Sequence, residues 1–187
     1  MIPEILFKEG NKITAGFRGT VIVGENDTAI VGNYGTAIAG NYGTAIADDC
    51  GIAVTGDGGK ATSGRQGKAI AGKNGTAIAD NYGTAIVGNY GTATVGERGM
   101  AMACYRGNAV AGDGGTAAAG DGGTAAAGDG GVIILIQWDA EWKRWRLIIG
   151  YIGEEGLLPN IQYRLNSEGA ISRVEDRMIE PKEDLGF

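Results

Sequence analysis

Carboxylates recur in three nearby turns, Asp113, Asp121 and Asp129, each within a Gly-Asp-Gly-Gly segment. Acidic turns at a fixed spacing suggest calcium rolls, but those need a nine-residue period and a second acidic position, and the spacing here is eight. Turn capping by aspartate is the simpler chemistry. The segment Gly56-Asp57-Gly58-Gly59-Lys60-Ala61-Thr62 has the look of a phosphate loop, yet the glycine required five residues before Gly59 is replaced by Val54. The pairs Asp48-Asp49 and Glu154-Glu155 lie in turn-like segments with no partner base. The chain has no histidine, which removes the usual general base and the commonest metal ligand. Cys50 and Cys104 fall at different places in the local pattern, so a disulfide framework is not expected and the thiols read as reduced. Neither an enzyme, a cofactor nor a metal is expected.

The positioning elements follow from one regularity. Fifteen octapeptides run from Gly16 to Leu135 without an insertion or deletion, in the register G-x-x-G-T-A-I-A. Lys8 to Ala15, KEGNKITA, fits the same frame more loosely. Strict length keeping means that each unit stacks on a copy of itself, the mark of a solenoid. The 36 glycines do not recur every third residue, which excludes collagen, and 43% hydrophobic residues in register exclude disorder.

Within Thr-Ala-Ile-Ala the alternation has period two, as in a strand with two unlike faces. The second and fourth positions are small almost everywhere, whereas the first admits Lys60, Lys68 and Asn108. Alanines therefore face inward, between sheets closer than the usual ~10 Å, while the first and third positions face out. The glycine before each strand marks a corner that needs either positive φ or room against the next coil, with Asn11 and Asp27 as the exceptions.

Neighbouring octads match in pairs: Tyr34 with Tyr42, Tyr82 with Tyr90, Arg98 with Arg106. This predicts a two-sided coil of 16 residues and a rod roughly 36 Å long at ~4.8 Å per coil. A three-sided coil of 24 residues is the alternative, because the tyrosine pairs also recur at 48 residues. The tyrosines themselves are expected to stack along the turns. The fold class is all-β, a parallel β-solenoid over 16–135, with an N-terminal capping segment at 1–15 and a C-terminal β cap and tail at 136–187. In that cap, strands are expected over Lys143 to Ile152, Gln162 to Leu165 and Ala170 to Val174. They form a small meander over the last coil, with Trp138, Trp142 and Trp145 supplying apolar area beside Tyr163. Met1 to Thr14 is expected to plug the other end.

Residues from Gly16 to about Val174 resemble the C-terminal part of bacterial ice nucleation proteins. Those proteins repeat octads in sixteen-residue pairs, and GDGGKATS, GRQGKAIA and GERGMAMA follow one of their two forms. They close with a W-D-G-K-R-Y segment, a T-G-x-x-G turn and a proline-containing stretch. This chain has Trp138-Asp139, Lys143-Arg144-Trp145, Gly153-Glu154-Glu155-Gly156, Pro159 and Tyr163 in that order. The resemblance implies a non-enzymatic solenoid. In the family, outward Thr-x-Thr arrays are taken to order water, and arginine-bearing coils are associated with self-assembly. Here only Thr92-Ala93-Thr94 keeps both threonines, and only Arg98 and Arg106 stand in comparable turn positions.

The candidate binding residues are the outward Thr20, Thr28, Thr36, Ile38, Thr44, Ile46, Thr76, Ile78, Thr84, Ile86, Thr92 and Thr94. An aliphatic row repeated on a sheet face is more apolar than a monomer usually shows, which marks an interface. Three functions follow: a scaffold whose flat face binds a protein or a second copy, an ice-binding protein, and an acidic rod that mimics nucleic acid. The net charge of -6, from 22 acids against 16 bases, argues against nonspecific grip on nucleic acid. No membrane span is expected, and the segment MIPEILFKEG lacks a signal-peptide pattern, so a cytoplasmic place is expected; the family resemblance implies the cell surface as the alternative.

Overall fold

A computed structural model describes residues 5–7 and 12–174. From Lys12 to Asp139 it consists of short strands joined by turns of four or five residues. In chain order they are β1 (Ile5–Phe7), β2 (Lys12–Ala15), β3 (Thr20–Ile22), β4 (Thr28–Val31), β5 (Thr36–Ala39), β6 (Thr44–Ala47) and β7 (Ile52–Thr55). Then come β8 (Lys60–Ser63), β9 (Lys68–Ala71), β10 (Thr76–Ala79), β11 (Thr84–Val87), β12 (Thr92–Val95), β13 (Met100–Ala103) and β14 (Asn108–Ala111). The last are β15 (Thr116–Ala119), β16 (Thr124–Ala126), β17 (Val132–Asp139), β18 (Arg144–Tyr151), β19 (Tyr163–Leu165) and β20 (Ile171–Arg173).

Odd-numbered strands through β17, followed by β18, make one ten-stranded sheet; even-numbered strands through β16, followed by β19 and β20, make the other. Thr36 thus pairs with Ile52 and Thr44 with Lys60, one coil apart and parallel. The chain is a two-sided β-solenoid, and the three-sided alternative is excluded. Among the described residues, no helix is long and apolar enough to cross a membrane.

The inward and outward assignment holds along the rod. Ala37, Ala45, Ala53, Ala61, Ala69, Ala77, Ala85 and Ala93 are all fully buried, while Thr36 and Ile38 and most of their equivalents are half-buried on the outer faces, with Ile52, Lys60, Lys68, Met100 and Met102 exposed. Successive strands on opposite sheets, such as β10 and β11, bring Cα atoms within 8 Å of one another. That gap is narrower than the ~10 Å between ordinary stacked sheets, so methyl groups fill it. The fourth-position column also accepts valine, at Val31, Val87 and Val95. At one level it holds hydroxyls instead: Thr55 and Ser63 are buried, and neither side-chain oxygen has a hydrogen-bond partner.

The corner glycines answer to space and not to φ. A Cβ on Gly75 would lie 2.7 Å from the Ala71 Cβ and 3.0 Å from the Gly59 carbonyl oxygen of the coil below. Positive φ sits one residue earlier, at Tyr34, Cys50, Gln66 and Tyr82 with φ of 55–59°. The same place in other turns is taken by Gly58, Gly114, Gly122 and Gly130. Asp27 is accordingly not left-handed; its neighbour Asn26 is, with φ 59°. Asn11 lies outside the described residues.

At the N-terminal end, the stretch expected to plug the rod supplies strands of its own: β1 adds to β3, and β2 pairs with β4 in the octad register. Met1 to Glu4 and Lys8 to Asn11 lie outside the described residues. At the C-terminal end, β17 runs past the rod as a hairpin with β18, and β19 closes the second sheet by pairing Tyr163 with Ala125. Tyr163 is buried together with Ile133, Leu135, Ile152 and Leu157. The tryptophans are placed differently. Trp138, Trp142 and Trp145 are exposed and do not cover the last coil. Alternation explains it for two of them: Ile133 and Leu135 point inward, so Trp138 and its cross-strand partner Trp145 fall on the outer face.

Candidate binding faces

Parallel in-register stacking turns each outward octad position into a column one residue wide, with rungs ~4.8 Å apart. On the first sheet the third-position column runs Ile22, Ile38, Val54, Ile70, Ile86, Met102, Ala118, Ile134 and ends on Ile149 of β18. Every rung is apolar. Beside it the first-position column runs Thr20, Thr36, Ile52, Lys68, Thr84, Met100, Thr116, Val132 and Tyr151.

The second sheet differs. Its first-position column is Lys12, Thr28, Thr44, Lys60, Thr76, Thr92, Asn108 and Thr124. The third position carries Thr14, Thr62 and Thr94 among Ile30, Ile46, Ile78, Val110 and Ala126. Neighbouring polar rungs bond to each other where they can, as Thr124 Oγ1 does to Asn108 Oδ1 at 3.0 Å.

The candidate residues are therefore split between opposite faces. Thr20, Thr36, Ile38, Thr84 and Ile86 lie on the first sheet; Thr28, Thr44, Ile46, Thr76, Ile78, Thr92 and Thr94 lie on the second. All are half-buried by their neighbours and point outward. Missed from the sequence was the end of the first face: Trp145, Leu147, Ile149 and Tyr151 of β18 extend it as an exposed apolar row. The signal was present as the alternation in Arg-Trp-Arg-Leu-Ile-Ile-Gly-Tyr.

A shallow hollow lies on each face where a small side chain lowers a column. On the first sheet, Ala118 leaves a cavity of about 520 Å³ whose rim includes Met102, Tyr105, Ile136, Trp145 and Leu147. On the second, Thr62 between Ile46 and Ile78 leaves about 540 Å³, with Asp48 and Asp80 at its rim.

Apart from Lys12, Lys60 and Lys68 in the first-position columns, the charges of the repeats line the turn edges. Asp49, Glu97, Asp113 and Asp129 stand on one edge with Arg65 and Arg98; Glu25, Asp57 and Asp121 stand on the other with Lys73 and Arg106. The turn aspartates and asparagines are engaged in stacking. Asn41, Asp57, Asn81 and Asp113 each accept the N–H of the residue one coil on, at 2.8–2.9 Å. The four tyrosines do not stack on one another, since Tyr34 and Tyr82 share an edge three coils apart and Tyr42 and Tyr90 share the other. They meet different aromatics: Tyr34 packs edge-on to Phe17 and Tyr90 to Tyr105, both at 5.6 Å. Cys50 and Cys104 lie on opposite edges and are unpaired.

At the hairpin turn, Asp139 accepts the backbone N–H groups of Glu141 and Trp142 at 3.0 Å and pairs with Arg146. The Trp142 N–H is the largest influence; with the nearby Arg146 charge it holds the carboxyl below its ordinary 3.8, against opposing desolvation.

The family model that matches this chain is described as a domain of unknown function, DUF4774. It matches twice, over residues 49–94 and 65–103, and the two matches begin one coil apart within the solenoid. No curated protein and no solved structure matches the chain.

Proposed function

We propose that this chain is a non-enzymatic β-solenoid scaffold of the ice-nucleation-protein type, whose flat outer faces bind a protein partner or a second rod. The observation that carries this reading is the unbroken apolar column from Ile22 to Ile149 on the first sheet. A rod of fixed pitch holds these side chains in one row on a preorganised backbone, so docking a partner orders side chains but little backbone. Lysines at two rungs, Ile38→Lys with Ile70→Lys, are expected to abolish side-by-side association measured by light scattering at high protein concentration. The matched pair Thr44→Lys with Thr76→Lys, on the second sheet, is expected to leave it intact. Association that ignores the lysines on the first sheet would refute the assignment of that face.

A second reading, direct binding of ice, is favoured by the threonine-rich columns of the second sheet, which carry Thr28, Thr44, Thr76, Thr92 and Thr94. Inhibition of ice recrystallisation that is lost in Thr44→Lys with Thr76→Lys would support it. No inhibition at high protein concentration would dispose of it.

A further inference from the structure

Among the described residues, the rod ends on an uncovered strand edge. β18 pairs with β17 along its whole length and is the last strand of the first sheet, with no strand on its other side among the described residues. Antiparallel pairs alternate between residues that exchange hydrogen bonds and residues that do not. The Ile152 N–H donates to the Gly131 carbonyl at 2.9 Å, which fixes the alternation. Even-numbered residues of β18 direct their backbone groups at β17. Trp145, Leu147, Ile149 and Tyr151 direct theirs outward, and among the described residues only the Tyr151 carbonyl of these is engaged, by the Glu154 N–H at 3.1 Å.

The same residues carry the exposed apolar row: Trp145 is 57% exposed, Leu147 62%, Ile149 50% and Tyr151 52%. Natural sheets blunt such edges with proline, a bulge, a charge on the open row or a very short strand. β20, the edge of the other sheet, is three residues long. β18 has eight residues, no proline and no break in its register. Its charged side chains, Arg144 and Arg146, project on the opposite face of the sheet from the apolar row, near the turn end of the strand, and Arg146 is paired with Asp139.

We infer that β18 is a self-pairing edge: two copies of this chain join antiparallel, β18 to β18, so that the first sheet runs without interruption through both rods. A two-fold axis through Leu147 sets Leu147 opposite itself and Trp145 opposite Ile149 of the second copy, giving roughly six interchain hydrogen bonds from backbone groups that are otherwise unspent. The occupant is a second copy because an antiparallel strand matches its own row of apolar residues. Residues 175–187 of this chain instead bring Glu175, Asp176, Glu180 and Pro181, with no alternation to match. Edge pairing leaves these side chains on the sheet face, where each touches its cross-axis neighbours without being enclosed, so the backbone hydrogen bonds carry the contact and the dimer is a weak, concentration-dependent one. The inference does not depend on what the sheet faces bind.

Sedimentation velocity of the full chain from about 1 to 200 µM tests it. A monomer–dimer equilibrium is expected, and Leu147→Pro should weaken it at least ~tenfold with an unchanged circular dichroism spectrum, because the lost N–H points away from β17. Leu147→Lys and Leu147→Glu should each be monomeric alone and should form a mixed dimer together, since residue 147 faces itself across the axis. A wild-type chain that stays monomeric would overturn the proposal, as would a folded Leu147→Pro chain that dimerises as tightly as wild type. A chain that dimerises only after removal of 175–187 would overturn it too, by showing that segment on the edge. If Ile38→Lys with Ile70→Lys abolishes the dimer and Leu147→Pro does not, the edge inference fails while the face reading stands.

Discussion

Replacing Thr55 by valine is expected to stabilise the rod. Thr55 is 5% exposed in the fourth-position column, and its hydroxyl has no partner. A buried hydroxyl without a hydrogen bond costs about 1–3 kcal/mol relative to a group that needs none. Valine has the same branching and is accepted by the same column at Val87, whose side chain approaches the place of a Cβ on Gly91 much as Thr55 approaches that on Gly59. Nothing is therefore overpacked, and the whole desolvation penalty is recovered. Ser63→Ala should act in the same direction by about 1–2 kcal/mol, since the lost oxygen leaves little volume behind. Thr55 and Ser63 sit on consecutive strands of one coil, so the double variant is expected to fall short of the sum. For a chain of this size 1 kcal/mol corresponds to about 2–4 °C in Tm. Thr55→Val should accordingly raise the midpoint by about 2–12 °C in thermal denaturation followed by far-ultraviolet circular dichroism. A loss of 1 kcal/mol or more (about 2–4 °C) would refute the reasoning by showing that the hydroxyl is bonded in solution.

Three further outcomes follow from the turns and the hairpin. Gln66→Gly places glycine at a φ of 55°, as other turns already do at the same position, and should stabilise by about 0.5–1 kcal/mol in guanidinium denaturation. Gly75→Ala should cost about 1–3 kcal/mol in the same assay, because its methyl meets the Ala71 Cβ and the Gly59 carbonyl with no open direction. The Asp139 carboxyl is held below its ordinary value, so its contribution to the hairpin turn is present above the unfolded pKa and is lost as pH falls through the lowered folded pKa. Tryptophan fluorescence should report loosening of the turn only below about pH 4, and Asp139→Asn should remove that acid transition.

Nearly all of the solenoid was legible because its constraint is local and repeated. A narrow interior admits only small residues at two positions of the octad, and the pairing of like octads gave the coil length. Three features were less legible: the tyrosines, which meet other aromatics and not one another, the corner glycines, for which room and not positive φ is the reading that holds, and the tryptophans. The glycine at the corner signalled a need for space, while the left-handed residue before it is often Tyr, Arg, Asn or Gln, types that do not announce positive φ. The tryptophans carried the opposite trap. Large aromatics in a terminal segment suggest burial, yet counting the alternation forward from Val132 puts Trp138 outside, and the register then puts Trp145 beside it. The paired faces were legible as columns, but the division of the threonines and the aliphatics between two opposite sheets required the coil to be closed.

The most direct test is a labelling scan of one strand in a Cys50→Ser, Cys104→Ser background. Single cysteines at Lys68, Ala69, Ile70 and Ala71 would be reacted with a water-soluble thiol reagent under native and denaturing conditions. Rapid native labelling at 68 and 70, with 69 and 71 reacting only after unfolding, is the expected result. Native labelling at 69 and 71 as fast as at 70 would contradict an interior filled by methyl groups, and with it the outward faces on which binding is proposed.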